Sequence, residues 1–153
     1  MSSFFDYGGT HSDDRFLGNW SDLDWKKFMN FVTIRRFSQE ETLVEKGELS
    51  RELFVLTQGA IVVDIPQKGA GNLDLSVTIS AGNIVGEQAF IDGLPRSQTL
   101  RAKEDGEMMV MSYKSFEYFI AQEPQLGREF IIDVARILSK RLRSTTQKAV
   151  SAD

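Results

Sequence analysis

Eight short apolar runs packed between residues 34 and 111 constrain the fold of this chain more than any other feature of its sequence. They cover residues 34–37, 42–44, 53–56, 60–65, 73–79, 84–85, 98–102 and 108–111. Most are rich in β-branched residues and too short for helices. Turn-forming groups such as Ser38-Gln39-Glu40, Lys46-Gly47-Glu48 and Gln58-Gly59 separate them. In the fifth run Leu73, Leu75, Val77 and Ile79 alternate with Asp74, Ser76 and Thr78, the period of a strand with one buried face. Short strands at this spacing predict a compact jelly-roll-like barrel or sandwich.

Helical periodicity flanks the strands. Ser21 and Asp24 have the spacing of a capping box, and Trp25, Phe28, Met29 and Val32 follow at i, i+3, i+4 and i+7. On the other side, Ser115 is expected to cap a helix carrying Phe116, Phe119 and Ile120, and Pro124 to open a longer one. The longer helix places Leu126, Phe130, Val134, Ile137, Leu138 and Leu142 on an apolar stripe. Arg136, Lys140, Arg141 and Arg143 are read as solvated positions of that helix. Residues 1–19 contain Gly8, Gly9 and Gly18 and no sustained period, so a mobile tail is expected there, with one domain over 20–153. Docking of Phe4, Phe5 and Tyr7 on the domain or a partner is the alternative for that tail.

Composition removes several functions. A length of 153 residues suits one core and leaves no room for a catalytic partner domain. The chain has no cysteine, which excludes disulfides, thiolate metal sites and a cysteine nucleophile. Its one histidine, His11, lies in the expected tail, so neither a metal nor a catalytic role is assigned to it. The net charge of −4 gives no electrostatic reason to expect nucleic acid or an anionic membrane. No apolar run approaches the roughly 18 residues of a membrane span. No signal-peptide pattern opens the chain, so a cytoplasmic location is expected.

The chemically informative stretch is residues 82–102, Gly-Asn-Ile-Val-Gly-Glu-Gln-Ala-Phe-Ile-Asp-Gly-Leu-Pro-Arg-Ser-Gln-Thr-Leu-Arg-Ala. Gly86 ends a strand and lets the backbone approach something small. Glu87, Gln88, Ala89 and Phe90 can form one helical turn, whose first amides lack intrahelical partners and suit a phosphate. Glu87 has the wrong sign for a phosphate but can accept from a neighbouring sugar hydroxyl. Nine positions on, Arg96 can hold a phosphate through two parallel hydrogen bonds, and Ser97 adds a hydroxyl and its own N–H. An ordinary ion pair between Glu87 and Arg96 bridging the loop is the plainer reading of the same two charges.

This stretch resembles the phosphate-binding cassette of the cyclic-nucleotide-binding domain family, and the resemblance runs from about Ser21 to Arg143. Gly47, Gly59, Gly82 and Gly86 fall where that family turns between strands. Its pattern reads Gly-Glu, a short apolar turn, a loop, then Pro-Arg and a small residue. The resemblance implies that Glu87 accepts the ribose 2′-hydroxyl and that Arg96 neutralises the phosphate. Val85, Gly86, Gln88, Ala89, Ser97 and Gln98 complete the implied ligand contacts. Gln98 departs from the family, which usually has Ala there; its longer side chain bears on which ligand fits. Leu138 or Leu142 is the expected apolar cap over the base.

The implied fold is α+β and mainly β. It is an eight-stranded jelly-roll-like β barrel with an N-terminal helix, a short cassette helix and two C-terminal helices. The implied function is a non-catalytic sensor for a cyclic mononucleotide, cAMP before cGMP, with a cyclic dinucleotide as a further option. Movement of the C-terminal helix would pass the bound state to a separate protein partner. Ten residues follow Arg143, too few for a helix-turn-helix, so direct DNA binding is not expected. The competing reading is a vestigial pocket on a protein-interaction module. An enzyme is not expected, because no metal cluster or general base accompanies the cassette.

Overall fold

The computed structural model describes residues 15–64 and 76–151. Helix α1 spans Asp22–Phe28 and is followed by a 3-10 turn, Met29–Phe31. The capping box forms as expected, with Ser21 and Asp24 each satisfying the other's backbone N–H. Eight strands follow: β1 Thr33–Phe37, β2 Thr42–Val44, β3 Glu52–Gln58, β4 Ala60–Asp64, β5 Val77–Ser80, β6 Ile84–Val85, β7 Thr99–Ala102 and β8 Gly106–Ser112. Helix α2, Glu87–Asp92, sits between β6 and β7; α3, Tyr113–Gln122, and α4, Pro124–Ser151, close the chain. In the alternating run, Leu73 and Leu75 lie outside the described residues, while Val77 and Ile79 pack inward as their period demands.

The strands form two antiparallel four-stranded sheets, ordered β1-β8-β3-β6 and β2-β7-β4-β5, the jelly-roll-like arrangement expected from their number and length. Period-two alternation divides the interior into two cores. On β3, Leu53 and Val55 face the helices, while Phe54 and Leu56 face the second sheet. On β8, Met109 and Met111 face the helices, and Met108 and Val110 the other way. The helix-side core is aromatic: Phe28, Phe119 and Phe130 meet edge-on or tilted, with centroids 5.5–5.9 Å apart. Such contacts add to plain area burial.

Three expectations are corrected here. The tail does not extend to residue 19, because Phe16 and Leu17 are buried in the helix-side core and Trp20 joins them. Phe16 N–H donates to Gly82 O, Leu17 N–H to Asp133 Oδ2 and Trp20 Nε1–H to Glu129 Oε2, so these residues fasten α4 to the roll. Three apolar side chains outweigh the neighbouring glycine that suggested mobility; residues 1–14 lie outside the described residues. The cap of α3 is Ser112, whose hydroxyl accepts from Ser115 N–H, so Ser115 lies inside the helix. Leu142 leaves the apolar stripe of α4 and is 67% exposed.

Candidate functional site

The cassette is built where β6 runs into α2 and where the chain returns towards β7. Gly86 caps α2 with φ 80° and ψ 17°, a left-handed conformation that favours glycine. Space demands glycine as well: a Cβ there would lie 2.9 Å from Arg96 Nη1 and 3.0 Å from Phe54 Cδ2. Helix α2 then places Glu87 inward, Gln88 outward and Ala89 inward, and its first amides have no intrahelical partner. Phe90 roots the helix among Tyr113, Phe116 and Phe130. At the other end, Arg51 donates to Phe90 O and Ile91 O at 2.8 and 2.9 Å and stacks 3.5 Å above the Tyr113 ring.

Glu87 and Arg96 are the two buried charged side chains among the described residues. The backbone of Arg96 is pinned to the loop before β3, its N–H donating to Glu48 O and its carbonyl accepting from Gly47 N–H. Its guanidinium donates through Nε to Ser50 Oγ, through Nη1 to Gly86 O and through Nη2 to Glu52 O, at 2.9–3.0 Å. A guanidinium has five N–H groups. One on each Nη therefore remains, and this fixed pair can grip two oxygens of one anion. Burial pulls the pKa of Arg96 below the ordinary arginine range, while the nearby carboxylates of Glu48, Glu52 and Glu87 oppose that pull.

The Glu87–Arg96 ion pair, the plainer alternative in the sequence, is not the pairing that forms. Arg141 of α4 places Nη1 2.7 Å from Glu87 Oε1 and donates through Nη2 to Ile84 O at 2.7 Å. Ser97 donates its hydroxyl to Gln88 Oε1 at 2.6 Å. The structure thus brings Val85, Gly86, Glu87, Gln88, Ala89, Arg96 and Ser97 into one place, with half-buried Gln98 leading into β7. Leu138 packs half-buried against the helix-side core, and Leu142 is exposed.

Arg141 is the residue that the sequence reading passed over as solvated. A signal for it existed. Val134, Ile137 and Arg141 stand at i, i+3 and i+7, so Arg141 continues the stripe facing the roll and Leu142 does not. Arg136, also read as solvated, holds Asp133 and Arg15 O, which belong to the N-terminal fastening.

A cleft of about 490 Å³ opens elsewhere, between the 3-10 turn, β8 and α3, and shares no residue with the cassette. Among the described residues no cluster of ligating side chains could hold a metal ion, and no helix is long and apolar enough to cross a membrane.

Comparison with known proteins bears on the family and the fold. The cyclic nucleotide-binding domain family matches residues 34–123. The cAMP-activated global transcriptional regulator CRP of Salmonella typhimurium is 28% identical over 127 residues, which are 82% of this chain and 57% of that protein. The chain therefore spans little more than half the length of that relative. A cyclic nucleotide-binding domain from Methylobacillus flagellatus superposes with a TM-score of 0.78 at 24% identity, covering 93% of this chain and 79% of that one. The regulatory domain of Toxoplasma gondii PKA with cAMP gives 0.61 at 22% identity, over 84% of this chain and 45% of its own. These two likenesses concern the fold. With the family match spanning the cassette and both sheets, the chain belongs to the cyclic nucleotide-binding domain family.

Proposed function

We propose that this domain is a non-catalytic sensor of a cyclic mononucleotide, cAMP first and cGMP second. Arg96 carries the reading: it is 4% exposed, three of its N–H groups are held by the fold, and one N–H on each Nη is left to donate to a phosphate. Glu87, at the head of α2, would accept the ribose hydroxyl, and Ser97 would add a donor beside Arg96. The CRP relatives are named for activation by cAMP, and the Toxoplasma neighbour is a complex with cAMP; both support placing cAMP first.

The output is carried by α4. Its Arg141 holds Glu87, the residue assigned to the ribose, which supports a route from ligand entry to the position of α4. A ligand that binds one arrangement of this pair better shifts the helix towards it, and a separate protein would read the change. Working location is cytoplasmic in this account, and the phosphodiester leaves unchanged. Isothermal titration of the folded protein with cAMP and then cGMP tests the reading. Saturable heat at micromolar concentration or below supports it and ranks the ligands. Silence from both supports the vestigial pocket and a role in protein interaction.

A further inference from the structure

Gln88 occupies the second position of α2, exposed on the rim of the cassette. Its side chain is engaged: Oε1 accepts from Ser97 Oγ at 2.6 Å. A serine hydroxyl has one proton to donate. If Ser97 gives that proton to a phosphate oxygen, it must withdraw it from Gln88. The two acceptors therefore compete for one donor, and the competition is built into the rim beside Arg96.

We propose that Gln88 is an affinity-setting residue that works against the ligand by holding the Ser97 hydroxyl in an internal bond. This rests on the sensor reading above. The phosphate wins, because a charged acceptor makes the stronger bond. The exchange still has a cost, since one neutral hydrogen bond is lost for each ligand bound. The site consequently responds at a higher nucleotide concentration than the same cassette with an apolar side chain at 88. Gln88 keeps its backbone amide in either case, so the change acts through its side chain alone.

The test is a double-mutant cycle of cAMP affinity over wild type, Gln88→Leu, Ser97→Ala and the pair, with thermal unfolding of each chain as control. Gln88→Leu is expected to tighten binding about 3- to 10-fold, the range of one net neutral hydrogen bond. In the Ser97→Ala background the same substitution should change affinity less than about twofold, because no hydroxyl is left to contest. Binding by Gln88→Leu with wild type silent also supports the proposal, with the internal bond as the block. Unchanged or weaker binding by Gln88→Leu overturns it, and weaker binding would mean that the side chain itself reaches the ligand. If all four chains are silent with cAMP and cGMP, the sensor reading fails and takes this proposal with it.

Discussion

Arg141 Nη1 lies 2.7 Å from Glu87 Oε1, so the later part of α4 is fastened to the carboxylate at the head of the cassette. The two residues are 54 positions apart in sequence, and their helices also meet through Phe90 and Phe130. In the proposed function the ribose contact and the position of α4 share this one ion pair.

Replacing Arg141 with Met keeps much of the stem and removes the charge. Glu87, with 10% side-chain exposure, would lose its partner, whereas Arg141 at 31% already has some access to water. The exposed partner moderates the loss, so about 1 kcal/mol of stability is expected to go. Hydrogen exchange should quicken in α4 beyond Leu138 while β3 and β8 stay protected. Uniform quickening across the domain would contradict this role.

Gly86→Ala should be costly for two separate reasons. Its φ of 80° opposes a side chain, and the new Cβ meets Arg96 Nη1 and Phe54 at 2.9 and 3.0 Å. Together these should remove about 2–4 kcal/mol. Gly93→Ala is the comparison, since φ is 69° there but the nearest atom is 3.4 Å away, leaving about 1–2 kcal/mol. Urea unfolding of both variants measures the difference; equal losses would show that crowding at Gly86 contributes nothing.

Arg51→Ala removes two hydrogen bonds from the last carbonyls of α2 and the stack on Tyr113. A loss of about 1–3 kcal/mol is expected, centred on α2. Amides of residues 90–93 should exchange faster, and those of β4 should not. Loss of protection in β4 as well would assign Arg51 to the whole roll.

Glu41 gives the domain a part of its acid sensitivity. The Ser38 N–H first, and then Arg35, hold its carboxyl below the ordinary glutamate pKa. The stabilisation is therefore complete above that ordinary value and fades as pH falls towards the lowered folded one. Glu41→Gln should cost stability at neutral pH and lose its disadvantage in acid. A penalty that is the same at both ends would contradict the sign.

Much of this was legible in the sequence because it is local. Gly86 had to turn, Arg96 stood at cassette spacing, and short apolar runs between turn residues marked the strands, although the all-apolar run of residues 53–56 carried no sign of which side chain faces which core. What escaped depends on tertiary partners. Phe16, Leu17 and Trp20 have no period of their own, and only the groove beside α4 gives them a place to bury. Arg141 looked like any solvated cation until its i+7 relation to Val134 was joined to the position of Glu87. Ser112 and Ser115 offer the same chemistry three residues apart, and the end of β8 decides between them.

The central claim is that Arg96 holds a cyclic phosphate, and titration of Arg96→Ala and Arg96→Lys against wild type with the preferred nucleotide tests it most directly. Removing the paired donors should cost about 2–5 kcal/mol of binding in the alanine variant. Lysine should restore little, because a point charge cannot reproduce the fork. Circular dichroism must show both variants folded. Affinity within about twofold of wild type in folded Arg96→Ala, a change of under 0.5 kcal/mol, would contradict the account.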